Sequence, residues 1–210
     1  YHGIARVEIF ETLIEIPNLF KNKKKTQSKR VGIVTTTGGG GAMVIENLSD
    51  GDIEIIDPGL SIKKIMKEIH IPFNNNKLVD LTIAGTKPEI VNEVISQMMK
   101  NKNCDLVVMV VGSSAKFRPE QAVEPLLKWA NYPKPLAVYV APDAPEALNL
   151  LHQNNIACFR TPESCAESVK TFLNTKNPVK PIILKNDLSD ISKKLEKNIF
   201  KNLSEDEALE

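Results

Sequence analysis

Four consecutive glycines, Gly38 to Gly41, stand inside Val31-Gly32-Ile33-Val34-Thr35-Thr36-Thr37-Gly38-Gly39-Gly40-Gly41-Ala42-Met43. A β-prone run stops at Thr35, and a helical pattern begins at Ala42 and reaches Leu48. Glycines remove every Cβ from such a junction, so backbone N–H groups can approach an anion closely. A helix starting there adds free N–H donors and about half a unit of positive charge at its N-terminus. The chemistry this suits is the holding of a phosphate or phosphoryl group. The pattern is not a Walker A loop, because no Gly-Lys-Ser/Thr follows. Nor is it GxGxxG, because Met43 falls where the last glycine belongs. A tight turn without ligand is the plain alternative.

A second polar loop, Gly112-Ser113-Ser114-Ala115, follows the apolar run Leu106 to Val111 and offers hydroxyl donors. The candidate phosphoryl-binding residues are therefore Thr37, Gly38, Gly39, Gly40, Gly41, Ser113 and Ser114. Lys116 and Arg118 add charge nearby, with an ordinary surface role as the alternative. No catalytic residue and no metal-ligand set is assigned within the chain. His2, His70 and His152 lie far apart, and the latter two end helices, where a cation is mildly favoured. No GxSxG, HExxH or paired-Cys motif occurs. Asp80 has a turn or cap role by default, and Lys21 to Lys25 read as a solvated connector.

The elements that must position these loops alternate along the chain. Strands are expected at Val31–Thr35, Ile53–Ile56, Leu106–Val111, Leu136–Val140 and Ile156–Phe159, with a short extended piece at Leu78–Thr82. Helices are expected over Arg6–Ile16 (with Val7, Phe10 and Ile14 as its apolar stripe), Ser61–Ile69, Pro88–Met99, from Pro119, over Pro145–Gln153, and from Thr161-Pro162. Leu106 to Val111 is uninterrupted, the signature of a strand buried on both faces. Alternation at this spacing means βαβ units and a parallel sheet. Five main strands favour a flavodoxin-like three-layer sandwich of order 2-1-3-4-5, with a short N-terminal helix and a C-terminal helical tail. In that order the loops after the first and third main strands flank one crevice, where ligands bind in such sheets. The turn would have positive φ at its glycines if it is tight.

Composition closes off several classes. Lys and Arg number 27 against 26 Asp and Glu, a net charge of +1, which lacks the basic excess of a nucleic-acid binder. No apolar run of about 18 residues is present, so no membrane helix is expected. At 42% hydrophobic and 5% aromatic the chain is an ordinary globular one, poor in rings for base stacking or for flanking a flavin. Cys104, Cys158 and Cys165 form no CxxC pair, which indicates a reducing, cytoplasmic setting and inert core thiols. The chain begins without Met, as a processed or excised piece would. After Leu173 it turns polar. Leu188, Ile191, Leu195, Ile199 and Leu203 then line a further helix, and Ser204-Glu205-Asp206-Glu207 has the form of a capping box that starts another. The expected division is 1–30 as helix and connector, 31–173 as the sheet domain, and 174–210 as linker and helix leading into a further domain.

The ordered series of motifs resembles the second flavodoxin-like ligase domain of the ADP-forming (NDP-forming) acyl-CoA synthetases, relatives of succinyl-CoA ligase. Gly3-Ile4-Ala5-Arg6-Val7 is similar to that family's Gly-Ile-x-Arg-Val. Val31 to Gly41 is similar to Val-Ala-Ile-Val-Thr-Asn-x-Gly-Gly-Pro-Gly, and Val79-Asp80-Leu81-Thr82 to the end of Asn-Pro-Val-Asp-Leu-Thr. Lys134-Pro135 and Ile156 to Glu163 match its closing motifs. Gly40 replaces the usual Pro, and Lys77-Leu78 stand where Asn-Pro is expected. The Ser-His-Thr-Gly segment bearing the family's phosphohistidine is not among these residues, and neither is its ATP-grasp domain. Leu203 to Leu209 resemble that domain's opening helix.

The resemblance implies that a histidine in another domain carries a phosphoryl group, and that Gly38 to Gly41 help stabilise it. It implies a parent enzyme using ATP, Mg and CoA, with this stretch inactive alone and binding no cofactor itself. The expected partners are CoA-binding, phosphohistidine-bearing and ATP-grasp domains or subunits, with a homo-oligomer compatible and neither nucleic acid nor membrane involved. The rivals are a flavodoxin binding FMN, a receiver domain, and a degenerate ligase domain kept for binding or dimerisation. Phe117 alone serves the flavin reading, and the receiver reading lacks its acidic residues.

Overall fold

The computed structural model describes residues 3–21, 23, 28–49, 52–72 and 77–176. By its internal contacts the chain divides into a compact unit, Ala5–Thr175, and a second comprising 1–4 and 176–210. His2, the Asn74–Asn76 loop, the helix expected from Leu188 to Leu203 and the capping box at Ser204 lie outside the described residues. The compact unit is built on a parallel sheet of β1 (Arg30–Thr35), β2 (Glu54–Ile55), β3 (Leu78–Asp80), β4 (Leu106–Val111), β5 (Leu136–Val140) and β6 (Ala157–Phe159). Its order is β2-β1-β4-β5-β6, the flavodoxin-like order expected for the five main strands. β3 is a sixth, short strand. It pairs with β1 beyond β2, setting Thr35 opposite Asp80.

Alternation along each strand sorts side chains into two cores. Leu106, Val108 and Val110 of β4 face a layer made by α1 (Phe10–Glu15), α2 (Pro17–Phe20), α3 (Gly38–Leu48) and α9 (Pro162–Asn174). Val107, Met109 and Val111 face α4 (Leu60–Glu68), α5 (Pro88–Lys100), α7 (Pro119–Leu127) and α8 (Pro145–Gln153). Every residue of β4 is buried, as an apolar strand covered on both faces requires.

Three elements depart from expectation. α3 begins at Gly38, so the glycines form its first turn rather than a loop before it. None of them has positive φ. The N-terminal helix is shorter than the 6–16 expected, and of its expected stripe Val7 packs against the core while Phe10 and Ile14 turn outward, 70% and 62% exposed. What seats α1 is polar. Glu167 of α9 accepts N–H bonds from Glu8 and Ile9 at the start of α1. Glu15, at the end of α1, accepts from Ser164 Oγ at 2.8 Å and Arg160 Nη1 at 2.9 Å, at the start of α9. One carboxylate of each antiparallel helix thus reaches the other element, Glu167 capping the start of α1 and Glu15 holding side chains at the start of α9, which Thr161 caps, and Thr171 Oγ1 donates to Arg6 O at 3.4 Å. Third, Lys23 is not simply solvated. Its ammonium donates to Ala130 O and Tyr132 O, beyond the end of α7, and burial holds its pKa below the usual lysine value.

Candidate functional site

The crevice lies at the C-terminal ends of β1, β3 and β4. Buried Thr35 shapes the turn out of β1: its Oγ1 donates to Thr37 O at 2.7 Å and accepts from Thr37 N at 2.9 Å. Thr36 ties the turn to the neighbouring loop. Its N–H donates to Val110 O at 2.9 Å, and its Oγ1 accepts from Gly112 N at 2.8 Å. The loops after β1 and β4 are therefore bonded together, as the strand order led one to expect.

Thr37 precedes α3 in extended conformation, and its side chain does not cap the helix. Gly41 N donates to Thr37 O at 3.1 Å, closing the first turn. The N–H groups of Gly38, Gly39 and Gly40 precede that bond and have no partner among the described residues. Each glycine meets different surroundings. A Cβ on Gly38 would lie 2.6 Å from Asp80 Oδ2, one on Gly40 would lie 3.0 Å from Val110 Cγ1, and one on Gly41 would lie 3.0 Å from Thr35 Cγ2. A Cβ on Gly39 would meet nothing within 4 Å. Gly40 and Gly41 are small because the helix is pressed onto the sheet. Gly38 is small because a carboxylate occupies its side, and only Gly39 opens to solvent.

Ser113 immediately precedes α6 (Ser114–Phe117), a single turn that ends before α7 restarts at Pro119. The longer helix starts at Pro119, as expected, and the short turn of α6 falls within the stretch expected as a loop. Ser113 and Ser114 line a cavity of about 380 Å³ shared with Gly85 and Thr86, from a 3-10 turn at Thr82–Thr86. That turn had no place in the sequence reading. Its one signal was Gly85, whose missing side chain makes room for Thr36. Asp80 performs the turn role: its Oδ1 accepts Thr82 N–H at 2.9 Å, and its other oxygen lies beside the start of α3. Lys116 and Arg118 are exposed.

The cysteines have environments that suppress thiolate. Burial raises all three, Cys158 to about 11, with the nearby Glu15 carboxylate adding to the effect on Cys158 and Cys165. Among the described residues no three His, Cys, Asp or Glu side chains gather into a metal site, and no helix is long and apolar enough to cross a membrane.

No family model matches the sequence, and no curated protein matches it. Solved structures do. The Pyrococcus horikoshii protein PH0766 superposes with a TM-score of 0.67 at 18% identity, over 81% of this chain and 41% of that one. A dinucleotide-forming acetyl-coenzyme A synthetase from Ca. Korarchaeum cryptofilum superposes with a TM-score of 0.66 at 21% identity, over 81% of this chain and 38% of that one. It does so both in complex with phosphate and ADP and in its apo form. The chain spans about two-fifths of the length of these structures. It has the fold of one part of two longer archaeal proteins, one of them an acetyl-coenzyme A synthetase.

Proposed function

We propose that the chain is a domain of an ADP-forming acid–CoA ligase, and that its part is to receive a phosphoryl group carried on a histidine of another domain. The observation that carries this is the first turn of α3: three unpaired N–H groups at Gly38, Gly39 and Gly40, at the crevice edge of the sheet. Donors fixed in place before charge arrives stabilise it without reorganisation. Thr37, Gly38 to Gly41, Ser113 and Ser114 are the phosphoryl-binding set. The fold shared with an acetyl-coenzyme A synthetase and the motif series support the reading.

On this reading the nucleophilic histidine, the nucleotide site with its Mg and the CoA site belong to partner domains or subunits in the same cytoplasmic enzyme. Residues 1–30, 31–173 and 174–210 are helix and connector, ligase domain, and linker into a further domain. The chain alone then makes no ADP from ATP, acid and CoA, because positioning cannot replace missing reactants.

The test is Gly39→Val in the intact enzyme. Its side chain projects where no protein atom lies within 4 Å, so it crowds the anion and little else. Phosphoenzyme formation is expected to fall by about 10²–10³ with melting nearly unchanged. A variant that melts normally and phosphorylates at the wild-type rate makes the glycine run a turn and nothing more. ADP formation by the 210-residue chain alone would equally overturn the assignment.

A further inference from the structure

At the β6 edge of the sheet a groove of about 400 Å³ opens between the α1–α2 segment and α8. Ile14 and Asn18 line it from one side, and Pro145 and Leu148 from the other. Two carboxylates and one guanidinium also line it. Arg160 Nη1 donates to Glu15 at 2.9 Å, so those two charges answer each other. Asp143 is exposed and makes no hydrogen bond or ion pair among the described residues, which leaves its negative charge uncompensated. Ile14 carries the groove onto the outer face of α1, where Phe10 and Leu13 are also exposed. At helical spacing these three side chains are neighbours. Apolar side chains in water beside an unanswered carboxylate fit a partner that brings an apolar group and a cation together.

The chain itself presents such a piece. Phe117 ends α6 with its ring 77% exposed. Lys116 and Arg118 flank it, both exposed and neither in an ion pair among the described residues. α6 packs on α8, the helix that forms one wall of the groove, so the projecting segment and the groove share a neighbour. We propose that this face pairs with a second copy of the chain. Phe117 of each copy covers Ile14 and Pro145 of the other, and Arg118 reaches Asp143. Two such contacts related by a twofold axis close a dimer. The inference goes beyond the ligase reading and uses none of the residues assigned to the phosphoryl group.

Sedimentation equilibrium of the 210-residue chain tests it. A monomer–dimer equilibrium is expected, weak enough to follow in a dilution series because the paired patches are small. Phe117→Ser and Ile14→Ser should each weaken association by about tenfold or more. Asp143→Lys and Arg118→Glu should each do the same by setting like charges together, and both changes in one chain should restore the dimer. All four side chains are exposed, so melting curves should move little. A wild-type chain that stays monomeric at every concentration would leave this face to another domain and overturn the self-pairing. Association that survives either single charge reversal, or either serine variant, would overturn it too. So would a normally melting double reversal that remains monomeric, or growth past the dimer into longer assemblies.

Discussion

Replacing Gly39 with alanine should raise the melting temperature, whereas the same change one residue later should lower it. Both glycines sit in the first turn of α3 with ordinary helical φ, so neither is there for conformational freedom. At Gly39 a methyl group meets nothing within 4 Å, and removing a helical glycine contributes about 0.5–1 kcal/mol. For a domain of this size that is about 1–4 °C. At Gly40 the methyl group lands 3.0 Å from Val110 Cγ1, 3.1 Å from Thr37 Cγ2 and 3.6 Å from Ala141 Cβ. Val110 is a fully buried residue of the central strand and cannot step aside. Overpacking of that kind costs about 1–3 kcal/mol, which set against the propensity gain leaves a net loss of up to about 2.5 kcal/mol. Paired thermal melts followed by far-ultraviolet dichroism read both values. Equal stabilisation by the two alanines, or a loss above about 1 kcal/mol at Gly39, would refute the placement of the helix start at Gly38.

The buried thiols predict a fall of stability in alkali. A folded-state pKa held above the ordinary 9.0 contributes stability that is complete below pH 9 and lost as pH rises, because the unfolded thiol ionises first. Lys134, lowered by burial, acts with opposite sign up to 10.5, so the thiol effect is read as a difference: Cys165→Ala should flatten the decline between pH 9 and 11 by up to about 1.4 kcal/mol per pH unit. An unchanged slope in denaturant melts would show that Cys165 is wetter than its complete burial implies. Glu167→Ala should cost about 1 kcal/mol by leaving the N–H groups of Glu8 and Ile9 uncapped, and should speed hydrogen exchange in α1 while sparing β4. Uniform acceleration across the sheet would instead make α1 part of the cooperative core.

Much of this architecture is legible because periodicity and punctuation agree. The run at Leu106–Val111 has no polar residue to place outward, and Pro145 and Thr161-Pro162 start helices where proline's fixed φ is tolerated. The glycine turn was visible as a place but misjudged as a shape. Gly38 to Gly41 have low helix propensity, yet packing on Val110 and Leu78 selects a helix that only side-chain-free residues can enter. α1 misled in the other direction, since spacing of Phe10 and Ile14 suggests a buried stripe while the helix is held by Glu15 and Glu167 from its other side. Carboxylates that find partners about 150 residues away leave no local signal. The cavity was half visible: Ser113 and Ser114 were chosen for their hydroxyls, but the turn at Thr82–Thr86 that completes it needs β3 paired to β1.

The antiparallel embrace of α1 and α9 also decides how this unit can travel between genes. Its first and last helices run side by side, with Arg6 and Thr171 in hydrogen-bond contact, so the polypeptide enters and leaves the compact unit at nearly one point. A host sequence interrupted at a surface loop could admit the whole module at that one place and close again behind it. The same geometry lets a few glycines join the neighbourhood of Thr175 to that of Ala5 while new termini open elsewhere on the surface. A unit with this plan can be shuffled, inserted or circularly rearranged without renegotiating its interior.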